Sequence, residues 1–146
     1  MADSGDVAVR GALEDWLSQK ASAASISIAA PNTNFTPPLL KAGAKFLRFS
    51  HLPAPRVALS IDNGGSNQLN GIMQVDAVYA PGRGTMEGPR IAQLVQGWFP
   101  RGTVLSRDGQ YVRIIRPPSM GPEQDDDPWT FIPVSVWWLA FTTNPN

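Results

Sequence analysis

The spacing of hydrophobic residues changes at the middle of the chain, between Leu69 and Phe99. Apolar and polar positions alternate from Leu69 to Tyr79, and this period of two predicts a half-buried strand. The sequence PGRGT that follows predicts a tight turn. After the turn, apolar side chains recur at the spacing of an amphipathic helix, at Ile91, Leu94, Val95 and Trp98. We therefore expect one face of the strand and one stripe of the helix to share a core.

The same patterns predict the remaining elements. A first helix is expected from about residue 6 to residue 24, and it is followed by strands at residues 25–29, 45–52 and 56–61. Arg107-Asp108-Gly109 predicts the turn of a hairpin, and residues 129–142 predict a long final strand. Most consecutive strands are joined by hairpins rather than by helical crossovers. The predicted fold class is therefore α+β, with a mostly antiparallel β-sheet and two α-helices packed on one face.

The final predicted strand is apolar on both of its faces. One face carries Trp129, Phe131, Trp137, Leu139 and Phe141, and the other carries Ile132, Val134, Val136 and Trp138. Two helices in a domain of this size cover one sheet face, so we expect another subunit to cover the second face. The alternative is that long loops of the same chain fold over it.

Length and composition bound the class of protein. The chain has 146 residues, which suits a single domain over residues 1–146, and it contains no cysteine. The 12 basic and 12 acidic residues cancel, which argues against a dedicated nucleic-acid binder. The N-terminus does not resemble a signal peptide, and the most apolar run is too short to span a bilayer. We expect a soluble protein without membrane contact.

No motif predicts catalysis, a cofactor or a metal site. Residues 81–85 lie where a phosphate-binding loop could form, but they lack the further glycine or the Gly-Lys-Ser/Thr ending of such loops. His51 is the only histidine and is interpreted as structural. The acidic residues near Asp126 lack the spacing of a calcium site and are interpreted as a solvated loop. Residues 81–116 contain six arginines and two acidic residues, a balance that favours protein contact over a nucleic-acid backbone.

Five segments, taken in order, carry a resemblance to a known family: FLRFSHLPA, NGIMQVDAVYAPGRGT, IAQLVQGWFPRGT, VRIIRPPSMGP and WTFIPVSVWWLAF. Together they resemble the small tail terminator (tail completion) proteins of long-tailed bacteriophages. The resemblance implies a structural, non-enzymatic α+β subunit that forms a hexameric ring on the head-proximal end of the tail tube. Such a ring ends tube polymerisation and provides the docking surface for the head connector.

The resemblance also implies the partners and the location. The partners are further copies of the chain, the tail tube protein and the head–tail connector or stopper protein. No sequence-specific nucleic acid is expected, although DNA can pass through the ring. The protein is expected in the neck region of the virion tail after assembly in the host cytoplasm.

The family has no catalytic motif to transfer, so the candidate site residues rest on the residue pattern. For packing between subunits we expect Trp137, Trp138 and Phe141, and for polar contacts between them Arg83 and Arg113. For contact with the tube or the connector we expect two loops, with Asn63 and Gly64 in one and Asp125 and Asp126 in the other. On this interpretation Trp138→Ala lowers assembly more than folding.

Two other classes of function remain open from the sequence. Another neck or head–tail connector protein would also form a ring, but on the portal side. A small-molecule-binding α+β domain would use the second sheet face as a ligand pocket. An enzyme would have to work with one histidine, no cysteine and scattered carboxylates.

Overall fold

The computed structural model describes residues 5–61, 64–82 and 84–143. Two helices are present, α1 (Gly5–Ala23) and α2 (Glu87–Trp98). The strands in these ranges are β1 (Ile28–Ala29), β2 (Lys45–Pro53), β3 (Val57–Ala58), β4 (Ser66–Tyr79), β5 (Val104–Arg107), β6 (Gln110–Ile114), β7 (Ser119–Met120), β8 (Gln124–Asp126) and β9 (Trp129–Thr143). Neither helix is long and apolar enough, within the described residues, to cross a membrane.

The sheet is built around the two longest strands, β4 and β9. They pair antiparallel over their whole lengths, from Ser66 opposite Thr143 to Tyr79 opposite Thr130. The strand order is β1-β2-β4-β9-β6-β5, and only β1 pairs parallel to its neighbour among the described strands. The predicted α+β class with a mostly antiparallel sheet is confirmed.

Both helices pack on one face of this sheet. Alternation in the two long strands turns one set of side chains toward the helices, and these form one core with apolar residues of α1 and α2. The members from the long strands are Leu69, Met73, Val75, Ala77, Tyr79, Ile132, Val134, Val136, Trp138 and Ala140. The other set of side chains lies on the face opposite the helices, and the candidate functional site is on that face.

The predicted core stripe of α2 is wrong at one position. Leu94 is 44% exposed, whereas Ala92, Val95 and Trp98 are buried. The helix therefore turns its small Ala92 toward the sheet and directs Leu94 to solvent.

Residues 117–128 were expected to form a polar loop, but two short strands within them pair with β9. β7 pairs at Val134 and Ser135, and β8 pairs at Trp129 to Phe131. Pro133 lies between these two pairings, and its carbonyl accepts a hydrogen bond from the backbone of Gly121. Because a residue's N–H and C=O point to the same side of a strand, the missing N–H of Pro133 faces this gap and removes no bond to β4.

A buried polar contact ties α1 to β2. The His51 side chain is 5% exposed, and its Nε2 lies 3.0 Å from Oε2 of Glu14. Burial lowers the pKa of His51 below its usual value. The hydrogen bond to Glu14 raises this pKa and so opposes burial, whereas the positive charge of Arg10 lowers it further. This contact between helix and sheet supports the structural interpretation of His51, which stays a prediction.

We predict that Gly88→Ala destabilises the fold by about 1–3 kcal/mol. A Cβ at Gly88 would collide with the ring of Tyr79, which is buried under the first turn of α2. Gly97→Ala is the matched control in the same helix, because nothing lies within 4 Å of a Cβ there. The control should stabilise by up to about 1 kcal/mol, and urea unfolding measures both changes. Equal effects of the two substitutions would contradict the packing.

We also predict that unfolding free energy falls between pH 7.5 and pH 6.0. The unfolded chain binds a proton at His51 near its usual pKa of 6.5, while the folded chain resists protonation because burial lowers this pKa. Acidification through this range therefore favours the unfolded state. His51→Gln should show a smaller pH dependence of the urea midpoint, and an unchanged pH dependence would contradict the assignment.

Candidate functional site: an open sheet face

The sheet face opposite the helices divides into three zones along the strands. At the end where β9 begins, the ring centroids of Phe35 and Trp129 each lie 5.2 Å from that of Phe46. Phe46 is buried there together with Val78. The loop that contains Phe35 thus covers this end, and here the alternative of loop coverage is correct.

The middle zone is polar, and ion pairs of Arg48 cover it. Arg48 on β2 donates from Nε to Asp76 at 2.9 Å and from Nη1 to Asp126 at 2.6 Å. Its guanidinium carbon also lies 4.5 Å from the ring centre of Phe131. The arrangement fastens β8 to the sheet.

The third zone, toward the end of β9, is apolar and uncovered by the described chain. We call it the open patch, and it consists of Leu52, Ile72, Val104, Tyr111, Trp137, Leu139 and Phe141. Tyr111 is 64% and Phe141 is 54% exposed. Two open depressions of about 430 and 330 Å³ lie along it. Exposed apolar area that is continuous across several strands is typical of an interaction site.

Two arginines lie beside the apolar residues that define the open patch. Arg113 is exposed and lies opposite Leu139 in the β6–β9 register, and the Arg116 guanidinium carbon lies 5.2 Å from the Trp137 ring centre. Within residues 5–61, 64–82 and 84–143, neither arginine forms an ion pair. The open patch therefore combines apolar contact area with positive charge that has no opposite charge beside it.

The structure places Trp138 in the core and not at the surface. Its side chain belongs to the helix-covered face and is 3% exposed. Gly71 lies opposite it, where a Cβ would come within 2.9 Å of the indole carbon Cζ2. The expected role of Trp138 at a subunit interface is therefore withdrawn, because its neighbour Trp137 occupies the outward position.

The remaining candidate residues fall at different places. Asn63 and Arg83 lie outside the described residues. Gly64 is exposed, has φ +96° and lies just before the first residue of β4. That end of β4 pairs with β9 near Phe141. Asp125 and Asp126 pair with the opposite end of β9, at Thr130 and Trp129. Gly64 is thus at the opposite end of the sheet from Asp125 and Asp126.

Sequence reasoning missed several members of the open patch. Leu52, Ile72 and Tyr111 were not singled out, although strand alternation puts each on the same side as Trp137. The sequence did not show the register of the strands. Only the pairing of Leu52 with Ile72, and of Ile72 with Trp137, makes these side chains neighbours. In the part of the chain that the structure describes, no group of three His, Cys, Asp or Glu side chains could hold a metal ion.

Comparison with known proteins identifies the class. Residues 8–138 match the family of phage tail terminator proteins, and the chain belongs to this family. It is a structural family of phage tail assembly, so the chain is a component of the virion tail.

A solved structure that carries no functional name is similar in fold. It has 28% sequence identity and a TM-score of 0.75, and the match covers 99% of this chain and 100% of that chain. No curated protein is significantly similar to this chain.

We predict opposite consequences for the two neighbouring tryptophans. Trp138→Ala should destabilise the subunit by about 3–5 kcal/mol because it empties the core. Trp137→Ala should cost only about 1 kcal/mol, since its side chain is partly exposed on the sheet face that the helices do not cover. Urea unfolding of the two variants measures the difference. Similar losses of stability would contradict the assignment of the two faces.

Proposed function

We propose that the protein caps the head-proximal end of the tail tube as a homo-oligomeric ring, with six subunits as the family resemblance implies. The ring ends tube polymerisation and presents the docking surface for the head connector. Membership of the tail terminator family supports this proposal, and the single structural observation that carries it is the open patch. A subunit that leaves this apolar area exposed gains free energy when another copy covers it.

The proposal assigns the site residues by position. Trp137 and Phe141 pack between subunits, and Arg113 forms polar contacts between them. Arg83 is retained as a further polar contact from the sequence. The role is architectural, so no cofactor takes part, and DNA passes through the ring without sequence-specific contact.

The two ends of the sheet supply contacts for two different partners. Gly64 lies at one end, and Asp125 and Asp126 lie at the other; the expected contact at Asn63 is retained from the sequence. In a ring of identical subunits, each end of the sheet repeats once per subunit. One loop set would then meet the tube protein and the other the connector.

The absolute mass in solution, measured by light scattering across a wide range of protein concentrations, tests the self-association that this function requires. The proposal predicts a mass that rises with concentration toward six subunits. A strict monomer at every concentration would count against self-association through the open patch.

We predict that Phe141→Ser weakens assembly at least tenfold in protein concentration, because Phe141 is among the most exposed side chains of the open patch. A tenfold change corresponds to about 1.4 kcal/mol, which is within the range for an exposed aromatic ring at an interface. The measurement is the concentration at which half of the protein is assembled.

Leu94→Gln is the matched control for this substitution. Leu94 is an exposed apolar residue of similar accessibility, but it lies on α2, which covers the other sheet face. The control should assemble like the unmodified chain. Equal weakening by both substitutions would show that the open patch has no special part in assembly.

A further inference from the structure

Opposite charges lie at the two ends of one side of β9. Arg113 is on β6, opposite Leu139, and Asp125 is on β8, opposite Thr130. The two positions on β9 are nine residues apart, which corresponds to about 30 Å along a strand. This separation is several times the screening length of about 8 Å at physiological salt. The two groups therefore do not neutralise each other within one subunit.

The negative end belongs to residues 119–128, which we call the acidic segment. It exposes Glu123, Asp125, Asp126 and Asp127, and beside them the apolar side chains of Met120 and Pro122. Asp125 and Asp127 form no ion pair among the described residues. The segment thus has the mixed apolar and negative character that would complement the open patch with its arginines.

The acidic segment is also held in place before any partner binds. The Tyr79 hydroxyl donates to Glu123, and Arg48 donates to Asp126. The backbone of Gly121 donates to Pro133, and the side chain of Gln96 donates to the carbonyl of Pro118. A surface that is ordered in the free subunit loses little conformational entropy on binding.

We propose that the acidic segment of one copy docks on the open patch of the next copy. Arg113 and Arg116 pair there with Asp125 and Asp127 of the neighbour, while Met120 and Pro122 cover apolar area near Trp137 and Phe141. This inference rests on the proposed function, because it specifies how the subunits of the ring meet. It moves Asp125 from the contact with the tube or connector to the contact between subunits.

The contact is head to tail, since the two surfaces lie at different places on the same chain. Such heterologous contacts generate a closed ring when the rotation between neighbours closes. A nucleic-acid backbone is a poorer occupant of the open patch, because phosphates would pair with the arginines and leave the apolar side chains between them uncovered. The acidic segment of a second copy would pair with the arginines and would also cover the apolar side chains of the open patch.

Charge reversal tests the pairing directly. One variant carries Arg113→Glu and Arg116→Glu, and the other carries Asp125→Lys and Asp127→Lys. Each variant alone should need at least tenfold more protein to assemble than the unmodified chain. An equimolar mixture should restore assembly, because every contact then joins opposite charges, and native mass spectrometry should find equal numbers of the two variants.

The matched control reverses two arginines away from the proposed contact, Arg90→Glu and Arg101→Glu, both of which are exposed. It should assemble like the unmodified chain and should not rescue the Asp125/Asp127 variant. Assembly of both reversed variants at the unmodified concentration would overturn the pairing while leaving the ring in place. Failure of the mixture to recover would overturn it as well.

Cysteine cross-linking tests the same contact when assembly is weak, because the chain contains no cysteine of its own. Ser106→Cys lies on β5 beside the open patch, and Gln124→Cys lies in the acidic segment; both positions are exposed. When the two proteins are mixed and oxidised, the mixed disulfide dimer should form faster than either symmetric dimer. Gln93→Cys, on the exposed side of α2, is the control partner and should show no such preference.

The outcomes separate this inference from the proposed function. A preference for the symmetric Ser106→Cys dimer would show that two open patches face each other, which overturns the head-to-tail contact and keeps self-association. An unmodified chain that stays monomeric, together with cysteine variants that give no preferred cross-link, would overturn both.

Discussion

The pairing of β4 with β9 is the constraint on which the rest of the structure depends. The two strands stay in register from Ser66–Thr143 to Tyr79–Thr130, so every side chain along them has a fixed face. A slip by one residue would exchange the faces and place Gln74 and Asp76 against the helices. The dense apolar set on the helix side, from Leu69 to Ala77, prevents that slip because it gains its stability only in this register.

The same register leaves part of the sheet face opposite the helices uncovered. The helices cover one side, and the Phe35 loop and the Arg48 charge pairs close two zones of the other. Nothing in the described chain covers the third zone, where Trp137, Leu139 and Phe141 come together. On the proposed function, assembly removes this surface from water, so a protein of the tail can tolerate it. The proposed docking of the acidic segment uses this surface as one half of a head-to-tail contact.

Local patterns predicted much of the fold, because strand alternation and helical spacing depend on neighbouring residues. They gave both helices, the β5–β6 hairpin and the face of each residue in β9. Alternation alone already separated Trp137 from Trp138, but it could not show which of the two faces the helices cover. That choice depends on contacts between distant parts of the chain.

The wrong predictions also arise because contacts between distant parts of the chain are not visible in local patterns. Leu94 was placed in the core because helical spacing alone does not reveal that Ala92, and not Leu94, faces the sheet. The pairing of β7 and β8 with β9 was missed because their polar residues resemble a loop, and the coverage by Phe35 depends on the path of a proline-rich segment. For the candidate site, the sequence identified Trp137, Phe141 and Arg113 in the open patch, whereas Leu52, Ile72 and Tyr111 join them only through strand pairing.

Hydroxyl-radical footprinting of the isolated subunit and of assembled tails tests most directly whether assembly covers the open patch. We expect Tyr111, Leu139 and Phe141 to be oxidised in the subunit and protected in the tail, while Leu94 reacts equally in both. Unchanged oxidation of these three side chains in the tail would show that assembly leaves the open patch uncovered.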